Sequence, residues 1–334
     1  MIKYMEIQDQ PEDAIRQYID ARQSFTAYDQ AKVRALAYRG GMVWKMVKGR
    51  DYLVRTTTKS AQTSLGVRSE ATEAIYLKFT EGKAIAQETV RGLKSALERH
   101  QRLNRALRIG RTPNIIIDVL TALESAGMAD YFTVVGTNAL YAYETAASAR
   151  IEEGLLATRD FDLLWDNRKK LSLVLQEGPL IDGMIGLLKK IDRSFVIRED
   201  QKYTAVNKDG YEVDFIRRNS DVNPGRFSAL DDDFWVVKAR NADWLLSAPK
   251  FKEMVVGVNG QMAYMNTVDP RAFALFKLWM AEQKDREYGK RLRDAAQAKS
   301  VINLINERLP QFSFDDIKIF PTSLVEKVGP LNPS

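Results

Sequence analysis

The sequence has no cysteine and a single histidine, His100, among its 334 residues. The absence of cysteine excludes disulfide bonds, zinc–thiolate sites, iron–sulfur clusters and thiol nucleophiles. A Ser–His–Asp triad or a histidine-rich metal site would have to use His100. That residue lies in a charged segment with a helical pattern, where we expect it to be solvated. We therefore expect any chemistry to rest on carboxylates, hydroxyls, lysine and arginine.

Long apolar runs are also missing. No stretch approaches the roughly 20 apolar residues that a membrane helix needs, and the first 20 residues are polar and acidic where a signal peptide would be apolar. We expect a cytoplasmic protein with no membrane partner. Apolar residues make up 45% of the chain and charged residues 28%, which allows a sizeable core. The net charge of +6 weakly favours anionic partners such as nucleotides or nucleic acid.

The pattern of elements predicts an α+β (mixed α/β) fold in two or three domains. Residues 1–111 form a mainly helical N-terminal region, with helical patterns at 10–36 and 70–106 and a β-hairpin at 42–57. Residues 112–266 form a core sheet with helices, and residues 267–334 a C-terminal helical module. Strand-like runs in the core occupy residues 131–135, 161–165, 195–198, 203–206, 211–217, 234–238, 254–258 and 261–266. Helical patterns occupy 114–126, 139–149 and 168–175, and later 271–282 and 287–309.

The helical segment 91–108 has two different sides. Steps of about 100° per residue place four leucines on one side, which we expect to face the core: Leu93, Leu97, Leu103 and Leu107. The other side carries Arg91, Lys94, Arg99, Arg102 and Arg105. This basic side is either a solvated surface or a face that follows a nucleic-acid backbone.

Residues 133–143 have the pattern of a strand, a tight glycine turn and a helix. Backbone N–H groups at such a turn, with a helix N-terminus behind them, suit phosphate oxygens. Gly136 lets the backbone approach closely, and the Thr137 hydroxyl adds a donor.

Carboxylates alternate with apolar residues in two strand-like runs. Asp160 and Asp162 point to one face of the first strand, and Glu212 and Asp214 share a face of the second. Asp160 and Asp162 alone could be solvated acids on an exposed strand. Together with Asp214 and the glycine turn, they match the arrangement that two-metal phosphoryl transfer requires.

These motifs resemble the nucleotidyltransferase superfamily, which has a polymerase-beta-like core. More narrowly, they are similar to bacterial nucleotidyltransferase-like families of the abortive-infection and toxin–antitoxin type. The resemblance rests on residues 136–140, 158–162 and 213–215, on the Lys-Leu element at 274–278 and on the basic-Asp pair at 291–294. It implies that Asp160, Asp162 and Asp214 bind metal, with Asp214 also a base for the acceptor. It implies nucleotide contacts for Gly136, Thr137, Asn138 and Arg159. It also implies that Lys277 and Asp294 belong to the catalytic residues, in supporting roles.

Two features depart from that family pattern. Thr137 follows the glycine where Gly or Ser is usual, and the gap from Thr137 to Asp160 is long. Lys277 could equally be a helix-surface lysine. The basic residues at 286–293 could be solvated, or could bind phosphate or an acceptor nucleic acid. We expect four tryptophans to lie in the core: Trp165, Trp235, Trp244 and Trp279.

The implied activity is transfer of a nucleoside monophosphate from a nucleoside triphosphate such as ATP to a hydroxyl, with release of pyrophosphate. The expected cofactor is Mg²⁺ or Mn²⁺, and the acceptor is RNA, a protein or a small molecule. Two alternatives remain open. One is a non-catalytic, nucleic-acid-binding regulatory protein on the same fold, and the other is the toxin of a toxin–antitoxin pair.

Overall fold

A computed structural model describes residues 7–58, 61–166, 183–201, 203–218, 237–239 and 241–328. The chain divides into two compact units, which we treat separately. The N-terminal unit comprises Asp13–Ile109, and the α/β unit comprises Met1–Glu12 together with Gly110–Ser334. In the described ranges no helix combines the length and the apolar character needed to cross a membrane.

The first strand, β1 (Gln8–Asp9), belongs to the α/β unit, and the N-terminal unit follows it. That unit contains α1 (Glu12–Ala35), β2 (Gly41–Val47), β3 (Arg50–Thr56), β4 (Gln62–Val67) and α2 (Glu70–Ala106). The predicted hairpin is present as β2 and β3, and its turn consists of Lys48 and Gly49, both with positive φ. Such a two-residue turn matches the right-handed twist of the flanking strands. Strand β4, which the sequence pattern did not predict, completes an antiparallel sheet.

The prediction that His100 is solvated is wrong. His100 is buried on α2, where its Nδ1 lies 3.1 Å from Gln17 Nε2 and its Nε2 lies 3.0 Å from Ser24 Oγ, both on α1. Gln17 Nε2 also lies 3.0 Å from the Oδ1 of buried Asn104, to which it donates. Gln17 and Ser24 of α1 therefore contact α2 through hydrogen bonds.

The predicted core-facing leucine row is also wrong at its C-terminal end. Leu103 and Leu107 are exposed, whereas Leu93 and Leu97 are half-buried. Helical periodicity identifies two sides of a helix but does not identify what the neighbouring helix offers. Here the side that carries the leucines also carries His100 and Asn104, and these two residues make the contacts with α1.

The α/β unit alternates helices and short strands after α2. Its elements are α3 (Asn114–Ser125), β5 (Phe132–Val135), α4 (Leu140–Ala147), β6 (Ala149–Arg150), α5 (Glu153–Leu156), β7 (Asp160–Trp165), α6 (Gly183–Ile191), β8 (Val196–Ile197), β9 (Thr204–Val206), β10 (Glu212–Arg218), β11 (Val237–Ala239), α7 (Ala242–Ser247), β12 (Lys250–Val256), β13 (Met262–Val268), α8 (Pro270–Glu282), α9 (Tyr288–Arg308) and α10 (Thr322–Val325). The predicted helix at 168–175 and the start of the predicted strand at 234–238 lie outside the described residues.

One mixed sheet organises this unit, in the order β12-β13-β5-β7-β10-β9-β8, with β11 paired to the end of β10. The pairs β13–β5, β7–β10 and β10–β11 are parallel, and the other pairs are antiparallel. The turn predicted at 207–210 joins β9 and β10 as a hairpin. The mixed α+β fold class is therefore confirmed. The finer division at residue 266 stays a prediction.

Alternation along β7 and β10 separates the core from the polar face. Phe161, Leu163, Val213 and Phe215 are completely buried, while the acids between them point to the opposite face. Helix α8 opens as its sequence predicts. Asp269 caps it by accepting a hydrogen bond from the Arg271 backbone N–H (2.9 Å), and Pro270 occupies its first turn. Three of the predicted core tryptophans are half-buried against the apolar core, namely Trp165, Trp244 and Trp279, and Trp235 lies outside the described residues.

Candidate active site

The acidic residues lie on two neighbouring parallel strands. In the β7–β10 register Asp162 is opposite Asp214, and Asp160 is opposite Glu212. Neighbouring strands are about 4.8 Å apart, and residues two apart share a face. The sheet therefore gathers four carboxylates on one face, which we call the acidic face.

Asp162 is the most perturbed carboxylate of the acidic face. Burial, followed by the negative charges of Asp160 and Asp214, raises its pKa to about 7. Lys277 and Arg286 act in the opposite direction. At neutral pH this carboxyl group is therefore balanced between its neutral and charged forms, and a nearby cation would favour the charged form.

The other carboxylates of this face differ in their partners. Burial raises the pKa of Asp214, although the Thr204 hydroxyl opposes this by donating to its Oδ1 (2.5 Å). Glu212 accepts a hydrogen bond from Arg198 (2.6 Å), so its charge is already paired. Asp160 is exposed. The residues with charge available for a ligand are therefore Asp160 and Asp162.

Gly136 makes room for Asp162. Val135, at the end of β5, pairs with Asp162, and the next residue turns away with a φ of +67°. A Cβ at Gly136 would overlap Oδ2 of Asp162. Gly136 is therefore required to accommodate the Asp162 carboxylate, and its predicted contact with phosphate stays a prediction.

Two neighbouring polar residues support the backbone around the acids. The buried Asn138 donates from Nδ2 to the Asp160 carbonyl oxygen (2.6 Å) and so fixes the start of β7. Gln297 of α9 donates from Nε2 to Thr137 Oγ1 (3.0 Å) and to the Leu155 carbonyl oxygen (2.7 Å). The β5–α4 turn is thereby tied to α9.

A pocket of about 570 Å³ lies beside these residues. It has a carboxylate edge from β7, an aromatic wall from α8 and a basic wall from α9 and the loop before it. Its lining includes Gly136, Thr137, Thr158, Asp160, Asp162, Phe273, Phe276, Lys277, Trp279, Arg286, Lys290, Arg293, Asp294 and Gln297. Of the predicted site residues, Asp214, Asn138 and Arg159 lie outside this lining. The exposed Arg159 contributes its carbonyl oxygen to the strand pairing, where it accepts from the Glu212 N–H (2.8 Å).

Lys277 and Asp294 meet inside the pocket. The Lys277 Nζ donates to Asp294 Oδ1 (2.8 Å), and Arg286 Nε donates to Oδ2 (2.5 Å). Burial lowers the pKa of Lys277, while the charges of Asp294 and Asp162 oppose that effect. Lys277 is therefore a buried, paired residue, and the alternative of a helix-surface lysine is wrong.

The donor set indicates which cation would fit. Within the residues that the structure describes, no three acidic or histidine side chains are placed to enclose one ion. Mg²⁺ is commonly bound by one or two carboxylates, with substrate phosphates and waters completing its octahedron. Asp160 and Asp162 provide such a partial set of oxygen donors. The arrangement fits a cation shared with a phosphorylated substrate better than one enclosed by protein alone.

A family model described as nucleotidyltransferase matches residues 114–319, more than half of the chain. This chain belongs to the nucleotidyltransferase family. The matched segment starts at α3 and contains every residue that lines the pocket. No curated protein and no solved structure matches the chain.

Sequence reasoning missed two residues of this nucleotidyltransferase site. Gln297 follows Lys290, Arg293 and Asp294 at helical spacing, and all four line the pocket. That i, i+3, i+4, i+7 pattern was the available signal. Thr204 could have been found by counting back from the turn at 207–210, because the hairpin register places it opposite Asp214.

Proposed function

We propose that the chain transfers a nucleoside monophosphate from a nucleoside triphosphate to a hydroxyl acceptor. The observation that supports this is the composition of a single pocket. It combines a carboxylate pair, a basic wall and an aromatic wall, which suit a metal–phosphate group, the outer phosphates and a base, respectively.

Asp160, Asp162 and Asp214 are proposed as ligands of Mg²⁺ or Mn²⁺, and Asp214 is also proposed as the base for the acceptor hydroxyl. A divalent cation bound there would neutralise phosphate charge and lower the pKa of the acceptor hydroxyl. Asp214 lies beside Asp162 across the strand pair, and burial raises its pKa, which suits a group that accepts a proton. The acceptor oxygen forms a bond to the α-phosphorus while the bond from that phosphorus to the bridging oxygen breaks. Pyrophosphate leaves, and the hydroxyl proton passes to Asp214.

The basic wall is proposed to hold the β- and γ-phosphates. Lys290 and Arg293 of α9 line the pocket, as does Arg286 in the loop before the helix. Asp294 holds Lys277 and Arg286 in place by the two hydrogen bonds described above, so these cations are positioned before substrate binds. Phe276 and Trp279 of α8 provide the apolar surface against which a base can pack.

Label transfer from radiolabelled nucleoside triphosphates tests the proposal. The protein is incubated with Mg²⁺ or Mn²⁺ and with total RNA, protein extract or small hydroxyl acceptors. We expect incorporation that is lost in the double variant Asp160→Ala, Asp162→Ala. Asp209→Ala, an exposed acid in the β9–β10 turn, is the matched control and retains the activity. Incorporation that survives in the double variant would exclude this site.

The alternatives predict other results. A non-catalytic regulatory protein binds nucleic acid in a salt-dependent manner, without metal or the aspartates, and transfers no label. A toxin of the type suggested by the sequence resemblance would slow bacterial growth as the wild-type chain but not as Asp160→Ala. The charge cost of clustering Asp160, Asp162 and Asp214 without a cation favours the catalytic proposal.

A further inference from the structure

The N-terminal unit carries a strong excess of positive charge. Residues 13–109 contain 19 lysines and arginines and nine acidic residues, a net charge of +10. The whole chain has a net charge of +6, so the remainder is negative by four charges. The excess positive charge is therefore confined to the unit that lies outside the matched segment at 114–319.

Much of this charge forms a row along the C-terminal half of α2. Five exposed basic residues of the helix make up the row, which we call the α2 basic row: Arg91, Lys94, Arg99, Arg102 and Arg105. At about 100° per residue they fall within an arc of about 140°. His100 and Asn104, which are buried against α1, lie on the opposite side. The row therefore faces away from the packed surface of the helix and extends over about 21 Å.

Few acids neutralise this row. Arg91 pairs with Glu88, and Glu98 lies among the basic residues. Lys94, Arg99, Arg102 and Arg105 make no ion pair in the described part of the chain. In the described residues, four arginine or lysine side chains are therefore exposed without a carboxylate partner and are available to an anion.

We infer that the α2 basic row binds the phosphodiester backbone of nucleic acid. A repeated row of cations over about 21 Å matches a linear polyanion, and each neutralised phosphate releases counterions. Arginine predominates in the row, and its planar guanidinium binds phosphate in a bidentate manner. If the proposed nucleotidyl transfer is correct, this nucleic acid is the acceptor, and that second statement rests on the proposed function.

Fluorescence anisotropy with a labelled single-stranded RNA of about 20 nucleotides tests the inference on the full chain. The test variant carries Arg99→Gln, Arg102→Gln and Arg105→Gln, since glutamine has a helix propensity close to that of arginine. The matched control carries Lys189→Gln, Lys299→Gln and Lys318→Gln, three exposed lysines of the α/β unit. Both proteins lose the same charge.

We expect the α2 variant to bind RNA at least about tenfold more weakly at about 100 mM salt, and the control to bind within about twofold of wild type. The slope of log affinity against log salt should fall by about 2, because three contacts contribute about 0.7 each. A variant with Arg99→Lys, Arg102→Lys and Arg105→Lys should keep the salt slope. That result separates loss of charge from loss of folding, which melting curves check directly.

Several results would overturn the inference. Equal losses in the two glutamine variants would show that only net charge matters. Binding to anionic lipid vesicles but not to RNA would also overturn the inference. So would loss of RNA binding in the Asp160→Ala, Asp162→Ala variant. DNA of the same sequence distinguishes a backbone contact from a contact to the ribose hydroxyl. RNA binding with no label transfer would refute the proposed function and leave this inference intact.

Discussion

Replacing Asp162 by Asn should stabilise the metal-free protein while abolishing transfer. Burial and the charges of Asp160 and Asp214 raise the pKa of Asp162 from an ordinary value of 3.8 to about 7. The folded state therefore binds this proton more tightly than the unfolded state does. The protonated carboxyl stabilises the fold below about pH 4, and this contribution is lost as pH rises through about 7.

The expected size follows from that difference. About 3 pH units at ~1.4 kcal/mol each give an upper limit near ~4 kcal/mol, and solvent access to this half-buried side chain reduces it to ~2 kcal/mol. The α/β unit should therefore melt about 4–8 °C higher in Asp162→Asn than in wild type at about pH 8. At about pH 5 the gain should fall by more than half, because folded Asp162 is then neutral, and it should vanish only below about pH 4, where the unfolded carboxyl is neutral as well.

Thermal unfolding in EDTA at both pH values measures this, with Asp209→Asn as the control, since Asp209 is exposed in the β9–β10 turn. Adding Mg²⁺ should raise the wild-type melting temperature more at about pH 8 than at about pH 5, because the ion competes with the proton. Asp162→Asn should not respond. Equal or lower stability of Asp162→Asn at both pH values would refute the electrostatic reasoning.

Three further variants test other contacts. Gly136→Ala should lower the free energy of unfolding by ~1–3 kcal/mol and reduce transfer, because φ at this position is positive and the added Cβ would overlap Asp162. The control Gly154→Ala, which has open space at Cβ, should leave the melting curve unchanged. Lys277→Met should lower the free energy of unfolding by ~1–3 kcal/mol and raise the KM for nucleotide, since Arg286 alone would then neutralise Asp294. An unchanged KM would exclude Lys277 from nucleotide binding. Burial lowers the pKa of His100, so its neutral form stabilises the fold above about pH 6.5, and that stability is lost as pH falls below this value. His100→Gln should flatten this pH dependence of the free energy of unfolding in denaturant titrations. An unchanged pH profile would contradict the prediction.

The sequence predicted those parts of the fold that local pattern determines. Alternation in β7 and β10 gave the acidic face, and the Asp269-Pro270 pair gave the start of α8. The register between β7 and β10 could not be predicted, because it depends on which strands become neighbours in the sheet. Only that register brings Asp162 beside Asp214 and leaves Glu212 to pair with Arg198.

Long-range contacts account for the remaining differences. The burial of His100 depends on Gln17 and Ser24, which are 83 and 76 residues away in the chain. The surroundings of Lys277 depend on Asp294 in the next helix and on the pocket that both line. Periodicity places such side chains on a face of their own element, but it does not indicate which element covers that face.

The parallel pairing of β7 with β10 also has an evolutionary consequence. A slip of β10 by one residue would turn its buried Val213 and Phe215 outward, at a cost on the order of ~5 kcal/mol, a large part of the whole stability of a domain. The apolar residues therefore dominate the alignment of β7 with β10, and Asp214 adds a hydrogen bond from Thr204 of β9. Descendants of this chain can lose their aspartates and still fold, so inactive copies with an intact sheet should arise readily.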